Sequence, residues 1–150
     1  MKVHLHQIPT GSTLHLEGEE DAAFLGLEEA GLEAASPVSY SLDVGLSDGG
    51  VFAAGQVSVT IACKCVKCLE RFEQIVEIDP FATQKELDGR ELVDLTPEVR
   101  EDIHLALPAY PHCDTVGKIC PASFPQAPVD DEETSGAPAW DALDQLKTKD

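Results

Sequence analysis

Apolar and polar residues alternate along several stretches of the chain, and the period of two predicts strands before anything else is considered. Val3-His4-Leu5-His6-Gln7-Ile8 alternates, Pro9 and Gly11 break the pattern, and Thr13-Leu14-His15-Leu16 resumes it, which reads as two short strands around a turn. Val38 to Leu46 alternates cleanly and Ser47-Asp48-Gly49-Gly50 has turn composition. Val51-Phe52-Ala53 then leads into Gln56 to Cys63, so the pattern predicts a long antiparallel hairpin with one buried face. On its second strand Val57, Val59 and Ile61 point one way, Cys63 continues that inward face, and Cys65 follows if the strand persists. A third β-rich run, Phe72 to Ile78, is expected to stop at Asp79-Pro80, and Gln84 to Asp94 reads as an irregular excursion.

Helical periodicity is sparser. Glu19 to Ala35 suits a short helix of one or two turns weakened by Gly26 and Gly31, and Ser36-Pro37 restarts an extended chain. The best helix begins at Thr96, a suitable N-cap, with Pro97 at the first helical position and Glu98 in the first turn. Val99, Ile103, Ala106 and Leu107 share one face before Pro108 ends it. Glu101, Asp102 and His104 project elsewhere and are expected to be a solvated flank. Pro108 to Pro128 has no hydrophobic period and five prolines, a length of irregular chain that calls for something to tie it down. Val129 to Ala139 reads as an acidic linker, and Trp140, Leu143 and Leu146 or Lys147 share one side of a short terminal helix.

The cysteines supply the tie. Cys63, Cys65 and Cys68 follow the best strand, Cys65 to Cys68 occupying the turn before the next one, while Cys113 and Cys120 lie in the Pro-rich segment. Four thiolates in two pairs, each pair local and the pairs far apart in sequence, are the arrangement by which one metal ion pins two loops together. Other readings are reduced cysteines acting as small hydrophobes and a redox C-x2-C pair, although no thioredoxin-like strand and helix surround the latter. Cys63 is either core or a substitute ligand. His4 and His6 share a strand face that His15 could join across a hairpin, but no acidic or Cys ligand matches their register.

Composition sets the partners. With 150 residues, ten Lys and Arg against 28 Asp and Glu, and a formal charge of −18, extensive binding to nucleic-acid phosphates is disfavoured. Seven acids between Glu17 and Glu33 and the run Asp130 to Glu133 suit either a solvated face or contact with a basic partner, of which ribosomal proteins are an abundant class. No apolar run of about 18 residues and no signal-like N-terminus is present, so a cytoplasmic protein without a membrane span is expected.

The segment Val57-Ser58-Val59-Thr60-Ile61-Ala62-Cys63-Lys64-Cys65-Val66-Lys67-Cys68-Leu69-Glu70-Arg71-Phe72 resembles the strand and C-x2-C-L-E signature of the YceD family, the large ribosomal RNA subunit accumulation proteins. In the same order as in that family, Val99 to Pro108 resembles a helix ending in L-A-L-P. Cys113 and Gly117-Lys118-Ile119-Cys120-Pro121 resemble its cysteine-bearing loop, and Trp140 to Lys147 its terminal helix. Many members carry further cysteines near the positions of Thr115 and Ser123, others lack most of the loop cysteines, and Cys63 is extra here. The resemblance implies a non-enzymatic factor for synthesis, processing or stability of 23S ribosomal RNA, without a small-molecule substrate, whose partner is a ribosomal protein or pre-ribosomal particle. By position Cys65 and Cys68 match that family's C-x2-C pair and Cys113 and Cys120 the outer cysteines of its later loop, and the four, read as two pairs, are expected to bind one Zn²⁺ in a closed structural site.

Lys64, Lys67, Arg71 and Lys118 would cluster at such a site, as contacts to RNA backbone or a partner or simply as solvated turn residues that offset thiolate charge. An acidic interaction module unrelated to ribosomes and a metal- or thiol-dependent enzyme are the alternatives. The expected architecture is α+β: an antiparallel sheet or open barrel of five or six strands with one main helix in residues 1–128, then an acidic linker and a short C-terminal helix in 129–150.

Overall fold

The computed structural model describes residues 1–122 apart from Asp48, Asp88 and Arg90, and leaves the side chains of Glu29 and Ala30 aside. Among the described residues the fold is α+β and antiparallel, with one main helix and isolated 3-10 turns, and its sheets do not close into a barrel. The strands are β1 (Lys2–His4), β2 (Leu14–Glu20), β3 (Glu33–Ala34), β4 (Val38–Ser47), β5 (Gly50–Lys64), β6 (Arg71–Glu86) and β7 (Leu92–Asp94), followed by helix α1 (Thr96–Ala106).

Strand β5 organises the molecule. Along one edge it pairs with β4, from Gly50 opposite Ser47 to Ser58 opposite Ser39, and then with β3 at Ile61 and Ala62. Along its other edge it pairs with β6 over nearly its whole length. The expected β4–β5 hairpin is present, and Val57, Val59, Ile61 and Cys63 all face the core at no more than 3% exposure. Inward residues of β4 (Val38, Leu42, Val44) and β6 (Phe72, Val76, Phe81) complete this layer, which removes a continuous apolar surface from water.

Strand β6 does not stop at Asp79-Pro80. It continues to Glu86 through a cis Asp79–Pro80 bond, and Asp79 and Pro80 together oppose Gln56, because Val57 pairs with Ile78 while Gly55 pairs with Phe81. A proline lacks the amide that a regular ladder needs, so it is accommodated where the register slips by one residue. The expected excursion from Gln84 to Asp94 therefore shrinks to the few residues between β6 and β7.

Near the N-terminus two strands exist, but they do not form a hairpin. Leu5–Gln7 is a 3-10 turn, β1 pairs with the distant β7, and β2 pairs with β4 from Leu14 opposite Val44 to Glu20 opposite Val38. His15 is consequently bonded to Asp43, Nδ1 to Oδ1 at 3.0 Å, and not grouped with His4 and His6. Residues expected to form a helix from Glu19 to Ala35 divide among β2, two 3-10 turns, Ala22–Leu25 and Leu27–Ala30, and β3. Each turn ends at a left-handed glycine, Gly26 at φ 64° and Gly31 at φ 70°, a conformation that stops a helix and costs glycine nothing.

Helix α1 packs on β6 and on the 22–25 turn through Val99 and Ile103, with Leu95 buried just ahead of it. Its start differs from expectation. Thr96 is already helical, the Asp94 carboxylate accepts from the Thr96 N–H at 3.0 Å, and the Thr96 hydroxyl accepts from the Met1 amino group at 2.7 Å. Ala106 is exposed, so the buried stripe is shorter than its period suggests, and Leu107 turns extended ahead of Pro108. The flank expected to be solvated is partly engaged: His104 Nε2 lies 2.7 Å from the Leu25 carbonyl and Arg100 Nε donates to the same oxygen at 3.3 Å. No helix among the described residues is long and apolar enough to cross a membrane. The expected terminal helix, the acidic linker and the last six residues of the Pro-rich segment, 123–128, lie outside the described residues.

Candidate metal centre

Strand β5 ends at Lys64, and the chain reverses through Cys65 to Glu70 before β6 begins at Arg71. The reversal is held by two backbone bonds, Cys65 N–H to the Glu70 carbonyl and Leu69 N–H to the Cys65 carbonyl, both 2.9 Å. Leu69 takes φ 63°, a left-handed value unusual for a side chain with a Cβ, and that twist returns the chain into register for β6. The turn thus presents Cys65 and Cys68 from the end of a rigid two-stranded ribbon.

The second pair arrives from the loop after α1. Val66 N–H donates to the Pro111 carbonyl at 2.9 Å, which seats this loop on the β5–β6 turn. Cys113–Val116 forms a 3-10 turn that ends at Gly117 with φ 76°, and the Lys118 N–H reaches back to the Cys113 carbonyl at 3.2 Å. This fold-back brings Cys120 beside Cys113 although six residues separate them in sequence.

The four sulfur atoms of Cys65, Cys68, Cys113 and Cys120 all lie within 4.8 Å of one another, close enough to hold one metal ion. Two cross-loop pairs are in contact, Cys68 and Cys113 at 3.7 Å and Cys65 and Cys120 at 4.0 Å, and all four are free thiols. Cys65, Cys113 and Cys120 are buried and Cys68 is half-buried, so the group is shielded from bulk water. Cys63 is not part of it: its side chain is buried in the core and directed at the Phe72 carbonyl 3.8 Å away.

The surroundings suit a thiolate. At Cys65 burial pushes the thiol up, but backbone amides of Cys113, Cys68 and Lys67 and the Cys68 side chain outweigh it and bring the group down to about 5. Cys113 is pushed up to about 12, by burial first and then by the three neighbouring sulfurs. At Cys68 the Glu70 amide pulls the thiol down, yet burial and the bond to Cys65 leave it raised. Four sulfurs cannot all ionise side by side without a compensating cation, which is the condition a bound metal relieves. The donor set of four soft sulfurs in a closed cluster fits such an ion.

The basic residues expected around the cysteines divide into two kinds. Lys67 is paired with Asp114 at 3.2 Å, which raises the lysine and lowers the aspartate, and Arg71 is paired with Glu33 at 3.3 Å. Lys64 and Lys118 are exposed and have no ion-pair partner among the described residues. The sequence flagged all four cysteines of the cluster. The amides of the Cys65–Cys68 turn are those a knuckle between two strands is expected to offer, whereas the Cys113 amide and Pro111 have no signature until the loop that aims them is known. Compared with protein-family models, curated proteins and solved structures, the chain finds no match.

Proposed function

We propose that this chain is a non-enzymatic factor that supports accumulation of 23S ribosomal RNA during large-subunit biogenesis in the cytoplasm, with its cysteine loops braced by one structural Zn²⁺. One observation carries the reading: the two cysteine-bearing segments through which the sequence resembles the YceD family converge in space, all four sulfurs within 4.8 Å. A tetrahedral zinc with Zn–S bonds of about 2.3 Å has S···S edges of about 3.8 Å. Two cross-loop pairs, at 3.7 and 4.0 Å, are already at that spacing.

Zinc would neutralise crowded thiolates and fasten the 108–122 loop to the β5–β6 turn. Four protein sulfurs close its coordination shell and leave no position for a substrate, which favours a structural role over a catalytic one. The formal charge of −18 favours a basic protein of the pre-ribosomal particle as the partner over extensive contact with RNA.

The reading is tested by depleting the protein in its native cell and measuring 23S against 16S RNA and the subunit profile. A selective fall in 23S RNA and large subunits, restored by the native chain, is the expected result. An unchanged ratio in a cell with no second copy of the protein removes the ribosomal role. Metal analysis of the purified chain is expected to give one zinc per molecule, and a Cys65→Ser/Cys68→Ser variant none.

A further inference from the structure

The cysteine loops carry a surface that holding a metal does not account for. Nine large apolar side chains are exposed among the described residues, and five of them, Val66, Leu69, Tyr110, Val116 and Ile119, sit on these two loops. Ile119 is 94% exposed, Tyr110 76% and Leu69 74%, although each lies within three residues of a cysteine of the cluster. The Val66–Pro111 backbone bond and the convergence of the four sulfurs bring the loops together, so the side chains are displayed from a rim of two adjoining turns. Metal ligands do not require apolar neighbours that face water, and exposed apolar side chains gathered in one place mark contact surfaces.

Charge on this rim runs opposite to the rest of the chain. Lys64 and Lys118 are exposed and unanswered by any acid among the described residues, while Lys67 and Arg71 are answered by Asp114 and Glu33. In a protein of charge −18 the rim is therefore an apolar patch with two available cations at its border.

We propose that this rim docks a protein partner whose contact segment is apolar at its centre and flanked by carboxylates. Apolar anchors would cover Leu69, Tyr110 and Ile119, and the carboxylates would meet Lys64 and Lys118. Single-stranded RNA also seeks cations but fits less well. Base stacking uses aromatic or guanidinium planes, whereas four of the five rim residues are aliphatic, Arg71 is held by Glu33, and Glu70 and Asp114 lie among the cations. The inference goes beyond the ribosomal role and does not depend on it: a partner bound here in cells whose 23S RNA is indifferent to depletion leaves it standing.

The test places a photo-crosslinking benzophenone amino acid at Ile119 in the full-length protein in its native cell. A control probe goes at Ile75, which is 65% exposed on β6 away from the cysteines. A discrete protein adduct is expected from position 119 and not from 75, and is identified by mass spectrometry. The purified partner is then expected to bind the native chain, and to bind both Leu69→Asn/Ile119→Ser and Lys64→Glu/Lys118→Glu at least tenfold more weakly. Thermal midpoint should not fall and metal content should stay native in each variant, since asparagine suits the left-handed backbone at position 69. Should a variant fail to fold, Lys64→Gln/Lys118→Gln is measured in its place. Adducts with RNA alone, adducts only with residues 123–150 of the same chain, equal yields at 119 and 75, or affinity unmoved by these substitutions would each overturn the proposal.

Discussion

Leu69 pays a conformational penalty inside the cysteine turn, since its φ of 63° brings Cβ close to backbone carbonyl oxygen, at a cost of about 1–2 kcal/mol. Its side chain is exposed and recovers little of this by burial within the described structure. Leu69→Gly or Leu69→Asn should therefore raise stability by up to about 1 kcal/mol in chemical denaturation, whereas the β-branched Leu69→Val should lower it by about as much. Equal effects of Gly and Val would contradict the left-handed geometry. At this scale the sequence spoke plainly about some residues and not others. Cys63 and Cys65 share the inward parity of β5, yet one joins the core and the other the cluster, because the strand ends between them. Parity cannot reveal where pairing stops. His15 likewise found Asp43 instead of other histidines, since its neighbour was fixed by the pairing of β2 with β4, a partner that alternation alone does not name.

The start of helix α1 shows how one element is assembled from several stretches of chain. Asp94 is held below its ordinary value: burial raises it, but the Thr96 hydroxyl and amide, the amino terminus and Lys2 together outweigh burial. A carboxyl depressed in the folded state stabilises above its unfolded value near 3.9, and that contribution disappears as pH falls through the folded value. Asp94→Asn retains an acceptor and loses the charge, so it should cost about 0.3–1 kcal/mol near pH 7. The gap to the native protein should close below about pH 3.8, followed by urea denaturation across pH. A constant gap would mean that Asp94 acts only through shape.

The β5–β6 turn, as an element, makes a second prediction. Cys113→Ser should abolish stoichiometric metal binding, because it removes one of four donors. Cys63→Ala should keep the metal and destabilise the core by about 1 kcal/mol as a small buried side chain is trimmed. Metal analysis alongside denaturation separates the two. The β4–β5 hairpin was legible because its period and turn are local, and α1 was legible from Thr96, Pro97 and its apolar spacing. Strand β6 beyond Pro80 was not, because a proline that ends an isolated strand is tolerated where Gln56 faces two residues.

Taken whole, the described residues share one core whose largest side chains belong to the sheet, the 22–25 turn and the helix, with buried Cys65, Cys113 and Cys120 adjoining it. Phe81, Leu42, Leu25, Ile61, Leu95 and Ile103 are essentially fully buried around β4, β5, β6 and α1. Chelation of bound metal should accordingly leave the far-ultraviolet spectrum of the sheet intact while opening the 108–122 loop. Hydrogen exchange would show this as lost protection at the Val66 and Lys118 amides with β5 unchanged. Cooperative unfolding of the entire chain on chelation would refute the separation. The pairing of β1 with β7 explains why the global arrangement outran the sequence. It joins Val3 to Val93, and neither three-residue strand bears a mark of the other.

That separation also sets an order in time. The ribbon of β5 and β6 is a local hairpin, so Cys65 and Cys68 come together once a short turn has closed, whereas Cys113 and Cys120 wait for β7 and α1 to be laid against β6. A four-sulfur shell is thus finished late, from one half that is ready early and one that must be delivered. An ion captured by all four cysteines becomes a stamp on a completed chain, and molecules that have not yet brought their helix home have only half a grip on it.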